Sequence, residues 1–266
     1  MTPITDAEFQ RFQRFIFDRA GITMSGTKKS LVCGRLSKRL AARQCDSFGA
    51  YFELLGGADS ADETQIAIDL LTTNETYFFR EPKHFELLRR LATAAAAAGQ
   101  GLRAWSAASS SGEEAYSIAM VLADCLGSGP WEVLGSDISQ RVLQRARTGH
   151  YPMERAHHLP PEYLRRFCLR GTGPQEGTLL VDKALRRRVQ FAQVNLNSAL
   201  PQLGSFDVVF LRNVMIYFSG DTKRQVVARV LSLLRPGGHL CVGHSESLND
   251  VSEAVKVVAP SIYRKP

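Results

Sequence analysis

Seven small residues in succession, Ser106-Ala107-Ala108-Ser109-Ser110-Ser111-Gly112, run directly into two acids, Glu113 and Glu114. Small side chains let a ligand approach the backbone closely. An acid in the first turn of a helix is favoured by the helix dipole, which accounts for one of the pair. The other is then available to a ligand's cationic amino group. Asp137 stands about 25 residues after Gly112, where a carboxylate at a strand end can accept hydrogen bonds from ribose hydroxyls. It could instead cap the next helix, but Ser139 is better placed for that. The small-residue run is not GxGxxG, so the dinucleotide fingerprint is absent, and an ordinary strand–helix connection is the alternative.

These residues need a particular scaffold. A helix is expected over 81–98, a strand over 102–107 and a helix from Gly112, with Ala115, Ile118, Ala119 and Leu122 on one face. A strand over 131–136 and a helix over 139–148 follow. Later come a strand over 206–211, a helix over 221–234 and, after the turn Arg235-Pro236-Gly237-Gly238, a strand over 239–243. Alternating strands and helices imply a parallel, doubly wound α/β sheet. The stretch 151–188 interrupts the alternation and reads as a small insert. It holds a helix over 161–167 and a hairpin turning at Gly171-Thr172-Gly173-Pro174 or Gln175-Glu176-Gly177. The first seventy or so residues are all-helical in pattern. Asp6 is the expected cap of a helix with Phe9, Phe12, Ile16 and Phe17, and Thr27 of a second one carrying Val32, Leu36 and Leu40. Two shorter helices are expected over 48–55 and 61–71.

Length and composition narrow the classes. The 266 residues suffice for one medium and one small domain, with 44% apolar and 22% charged residues. No apolar run is long enough to span a bilayer, so no membrane insertion is expected. The N-terminal segment is amphipathic with both charge signs and lacks a signal peptide's basic head and apolar centre, which predicts a cytoplasmic protein. Cys33, Cys45, Cys125, Cys168 and Cys241 are scattered and never spaced as CxxC, which argues for reduced thiols and against a zinc site. His157 and His158 are adjacent and diverge on any regular element, so no metal is expected. The net charge of +7 favours an anionic partner without choosing one. There is no Asn/Asp-Pro-Pro-aromatic motif and no Pro-Cys nucleophile, which speaks against a nucleic-acid substrate.

Five segments in order resemble the CheR family of chemotaxis receptor methyltransferases. They are Leu71-Thr72-Thr73-Asn74-Glu75-Thr76-Tyr77-Phe78-Phe79-Arg80-Glu81-Pro82, then Trp105 through Met120, Ser136-Asp137-Ile138, Phe210-Leu211-Arg212-Asn213-Val214-Met215-Ile216-Tyr217-Phe218 and Gly243-His244-Ser245-Glu246-Ser247. The resemblance implies a helical N-terminal domain over 1–72, then a class I S-adenosylmethionine-dependent methyltransferase domain over 73–266. A β subdomain would be inserted in the latter at about 155–188. It further implies cofactor contacts from Asn74, Thr76 and Arg80, from Glu114 to the methionine portion and from Asp137 to the ribose. Asn195 and Leu196 would flank the adenine, and Arg212 and Asn213 would close the pocket. Where many members carry glycine, cysteine and threonine, this chain has Ala107-Ala108-Ser109-Ser110-Ser111, which are still small.

The implied reaction esterifies glutamate side chains of chemotaxis receptors, leaving S-adenosylhomocysteine. A glutamate of pKa about 4.3 is already an ionised nucleophile at neutral pH, so no general base is required. The implied catalytic residues are Arg80, which can hold the carboxylate, and Tyr217, which can donate a further hydrogen bond. Lys28, Arg35 and Arg39 share a helical face and are the expected contact to the receptor's acidic cytoplasmic helices. In the insert, the loop with Gly171 and Gly173 resembles that of members whose β subdomain captures a receptor C-terminal peptide, with Arg186, Arg187 and Arg188 available to its acidic groups.

Overall fold

The computed structural model describes residues 3–266; the first two residues of the expected N-terminal domain lie outside them. That domain is four helices: α1 (Asp6–Ala20), α2 (Lys29–Ala42), α3 (Phe48–Leu55) and α4 (Ala61–Leu71). Phe12, Ile16, Val32, Leu36, Tyr51 and Ala67 meet in its core. Two expected caps are corrected. Thr5, not Asp6, caps α1, in a capping box in which Glu8 N–H donates to Thr5 Oγ1 and Thr5 N–H to Glu8 Oε2. Thr27 lies within a 3-10 turn, Gly26–Lys28, and its hydroxyl pairs with Ser25, so it caps nothing.

The rest is α/β: α5 (Pro82–Ala97), β1 (Leu102–Ser106), α6 (Glu113–Leu126), β2 (Trp131–Asp137), α7 (Gln140–Thr148), β3 (His150–Pro152), α8 (Pro161–Phe167), β4 (Cys168–Arg170), β5 (Thr178–Val181), α9 (Lys183–Arg186), β6 (Val189–Gln193), β7 (Phe206–Leu211), α10 (Gly220–Ser232), β8 (Leu234–Val242), β9 (Lys256–Ala259) and β10 (Ile262–Arg264). The main sheet has the order β6-β2-β1-β7-β8-β10-β9. Its first five strands are parallel, and β10 runs antiparallel to both neighbours. Alternation along the strands separates two cores. Ala104, Val208, Phe210 and Cys241 face α5 and α6, while Trp105, Val209, Leu211 and Val242 face α10. The strand expected from His239 extends back to Leu234, with Arg235 to Gly238 looped out between the pairs Phe206–Leu234 and Val208–His239. No helix of the described residues is long and apolar enough to cross a membrane.

The insert is a three-stranded sheet of order β3-β5-β4. It therefore begins at His150, earlier than the expected 155, because β3 pairs with β5. The three arginines after it are not on a strand. Arg186 donates to the carbonyls of Val181 and Thr148, and Arg188 to those of Gly127, Gly129 and Trp131 while stacking on the Trp131 ring at 3.7 Å. Of the three arginines expected near such a peptide, only Arg187 is exposed, while Arg186 and Arg188 spend their donors on backbone carbonyls.

Candidate active site

Strand order reverses between β1 and β7, and ligands of such sheets bind beyond the carboxyl ends of the strands at that point. Here a cavity of about 480 Å³ opens, walled by the β1–α6 loop, the end of β2, the segment after β7 and the N-terminal domain. Gly112 turns the chain into α6 with φ +96°, and a Cβ there would lie 2.8 Å from that of Ala146. Ser109 N–H donates to the Ser136 carbonyl, and Ser110 Oγ donates to the Asn74 carbonyl, tying the loop to β2 and to the interdomain segment. Trp105, fully buried, donates its Nε1–H to Ser136 Oγ at 2.9 Å and fixes β1 against β2 beside the site.

The two acids of α6 point to different places. Glu113 is buried against Ser111 and Arg155, and Arg155 also donates to the Thr76 carbonyl at 2.9 Å. Glu114 faces the cavity, accepting from Ser106 Oγ at 2.6 Å and from Arg212 at 2.7 Å. Burial pushes its carboxyl up and Arg212 opposes that. Asp137 accepts the N–H of Ser110 on one oxygen and that of Ser139 on the other, both at 2.9 Å. Each oxygen keeps a lone pair for a ligand hydroxyl. Burial pushes its pKa up to about 6, against the pull of those two N–H groups.

The capping of α7 is a correction. Ser139 occupies the cap position, but its hydroxyl is buried without a partner. Asp69, from α4 of the other domain, accepts the N–H groups of Gln140 and Arg141, both at 3.0 Å. Gln65, one turn before it, donates to Asp69 and to the Ile138 carbonyl. The helical domain thus holds the end of β2 in place. It also bridges Ile22 to Phe218, and Thr23 N–H donates to the Tyr217 carbonyl at 2.7 Å. Nothing in the local pattern of residues 65–69 signals this role.

All the expected cofactor and catalytic residues lie on the wall of this cavity. Asn195 does so with its amide already engaged, donating to the Arg19 carbonyl and accepting from Asn197 N–H, so its side chain anchors α1. Leu196 beside it is buried and apolar. Arg212 is buried at the centre. Beyond Glu114 it meets Glu81 Oε2 at 3.1 Å and donates to the Arg80 carbonyl. It therefore fastens the interdomain segment to α6 and lines the cavity. Arg80 has no carboxylate partner among the described residues; it donates to the Glu75 carbonyl at 3.3 Å and lies 5.5 Å from the Tyr77 ring. Asn213 is in the left-handed region, φ +56°. Its N–H and that of Gly243 donate to Glu246 Oε2 at 2.8 and 2.7 Å, and Ile216 N–H donates to Oε1. Glu246 thereby shapes the turn that presents Tyr217, a role that the residue type alone did not reveal.

The expected receptor-contact residues are only partly brought together. Lys28 and Arg35 line the cavity mouth. Arg35 donates to the carbonyls of Leu71 and Thr72, bracing the interdomain segment. Arg39 is turned inward, paired through two hydrogen bonds with buried Glu63, which also accepts from Tyr51. A free basic face through Lys28, Arg35 and Arg39 does not exist, because helical spacing fixes direction and not partner. Gly171 and Gly173 lie in the insert, away from the cavity. A Cβ on Gly171 would fall 1.9 Å from the Gln175 carbonyl oxygen, and Gly173 has φ +55°.

Comparison with known proteins agrees with this arrangement. Residues 7–72 match the family model described as CheR methyltransferase, all-alpha domain, and residues 74–263 that described as CheR methyltransferase, SAM binding domain. The chain is 42% identical to the chemotaxis protein methyltransferase of Escherichia coli, over 98% of this chain and 91% of that protein. It is 42% identical to chemotaxis protein methyltransferase 2 of Pseudomonas aeruginosa, over 97% and 93%, and 41% identical to the Salmonella typhimurium enzyme, over 98% and 90%. A helical domain clamped across the strand ends of a doubly wound sheet, matched over both its parts, places the chain in the CheR methyltransferase family.

Proposed function

We propose that the chain is a protein-glutamate O-methyltransferase of chemotaxis receptors, acting in the cytoplasm on the receptors' helices with S-adenosylmethionine. The observation that carries this is the pairing of a cofactor-sized cavity with one arginine, Arg80, whose guanidinium has no carboxylate partner among the described residues. The site fits the cofactor: Asp137 has lone pairs for ribose hydroxyls, Glu114 offers negative charge to an amino group, and the small-residue loop leaves room between them.

When bound, S-adenosylmethionine supplies a sulfonium-borne methyl group to a carboxylate oxygen and leaves as S-adenosylhomocysteine, with no proton to move. The chain's work is then positional. Arg80 holds the substrate carboxylate and aims one oxygen, and Tyr217 adds a hydroxyl donor. Arg212 and Glu246 keep those two elements in register. The N-terminal helices cover the mouth and exclude water. The substrate carboxylate is already ionised at neutral pH, so the displacement needs no metal to activate it.

The acidic receptor helices are matched by a second cleft that adjoins the cavity, lined by Arg35, Arg141, Arg145 and Arg155. The insert supports a further contact. Strand β4 pairs on one side only and Leu169 beside the free edge is 56% exposed, so a receptor C-terminal peptide can add as a strand there. Methyl transfer from labelled cofactor to receptors of the same cell tests the main reading: an alkali-labile protein label is expected, and label on DNA or on no receptor would overturn it. Titrating C-terminal receptor peptides tests the insert, with loss of binding expected when the loop is lengthened at Gly173.

A further inference from the structure

Behind the cavity wall, on the far side of Arg212, three side chains converge that the methyl-transfer chemistry does not use as ligands. Glu81 enters α5 with φ +60°. His84 lies one turn on, and His244 follows β8. One ligand atom from each lies within 4.8 Å of the others. His84 Nδ1 is 3.5 Å from Glu81 Oε2, and His244 Nε2 is 3.8 Å from the same oxygen. Ligand atoms about 2.1 Å from a tetrahedral ion stand about 3.4 Å apart, so the set needs only a small closure.

His84 makes the case specific. It is 0% exposed, and neither ring nitrogen has a hydrogen-bond partner. An imidazole buried in this way normally finds at least one partner. Glu81 and Glu114 both face Arg212, so two carboxylates stand against one guanidinium and an added cation meets net negative charge. His244 is 55% exposed on its side chain. Its ring can rotate to close the set, and it gives an ion a path from solvent. Two imidazoles and a carboxylate with one open position suit a zinc-type ion better than magnesium or calcium.

We propose that Glu81, His84 and His244 form a binding site for one zinc-type divalent transition-metal ion next to the cofactor cavity. Because Glu81 is shared between the ion and Arg212, the site touches the wall of the cavity without lying in it.

The test uses the full chain after treatment with a chelator. Calorimetric titration with Zn²⁺ should give one ion per chain, and Co²⁺ should develop the intense visible absorption of a low-coordinate site. The exposed ligand supplies the safe variant: His244→Ala should weaken binding by about tenfold to a hundredfold or more and abolish the cobalt spectrum. His84→Gln should do the same if it folds. Replacing His157 and His158 together, a tilted surface pair with ring centroids 4.1 Å apart, should leave both signals intact. Absence of saturable binding, binding by His244→Ala equal to the unaltered chain's, or loss of binding only on removal of His157 and His158 would each overturn the proposal.

Discussion

Replacing Asp137 by asparagine should weaken cofactor binding without dismantling the site. Each native carboxylate oxygen accepts one backbone N–H, from Ser110 and from Ser139. Asparagine keeps one of these bonds and turns an NH2 toward the other N–H. A buried donor left unsatisfied costs about 1–3 kcal/mol, and a hydrogen bond from a ribose hydroxyl to a charged acceptor is of similar size. The free variant already bears the first cost, so only the second enters affinity, as a rise of about 5- to 150-fold in Kd. Calorimetry with S-adenosylhomocysteine at about pH 7.5 reads the second cost, and thermal melting of the free variant reads the first. The pH dependence is a sharper check. The Asp137 carboxyl is pushed up to about 6 by burial. Ribose hydroxyls donate to its ionised form, so affinity should rise with pH through about 6 and level off above. Stability of the free chain should move the other way. Between about pH 4 and about pH 6 the folded state holds this proton and the unfolded state does not, so the group's contribution to stability falls as pH rises. A Kd unchanged by Asp137→Asn, or a native Kd that is flat across this window, would refute the ribose assignment.

Arg80→Ala should lower kcat by about 10²–10³-fold with an unchanged melting temperature, since Arg80 makes only one bond, to a backbone carbonyl. Tyr217→Phe should cost about tenfold, the worth of one hydroxyl donor; larger loss in Tyr217→Phe than in Arg80→Ala would reverse their ranking. The pH profile of kcat should show no essential base titrating near neutrality, and a tenfold rise per pH unit there would contradict a base-free displacement. Arg39→Ala should destabilise the helical domain by about 1–3 kcal/mol in urea denaturation. Because the Arg39 hydrogen bond holds the Glu63 carboxyl below its usual range, that loss should be full at neutral pH and shrink in acid as Glu63 takes up its proton. Asp69→Ala should remove the cap of α7 at about 1 kcal/mol and weaken cofactor binding as the end of β2 loosens, measured by melting and calorimetry together.

Much of the scaffold was legible because its signals are local. Short apolar runs at β1, β2 and β7, period-3.6 patterns between them, and the rule that ligands lie beyond strand ends together place Glu114 and Asp137 before any contact is known. The short strands β3, β6, β9 and β10 gave no such signal. They run from three to five residues and take their place from the neighbours they pair with. Arg39 illustrates the other limit. Its helical face predicts exposure beside a basic neighbour, yet Glu63 lies 24 residues away in sequence and claims it. The same holds at the site itself. Arg212 reaches Glu114 across 98 positions and Glu81 across 131, Asp69 reaches α7 across 71, and Glu246 reaches Asn213 across 33. Residue type and spacing determined which groups could carry charge to the strand ends. Which partner each charge takes is decided by burial and close approach, which exist only once both domains and the sheet have packed together.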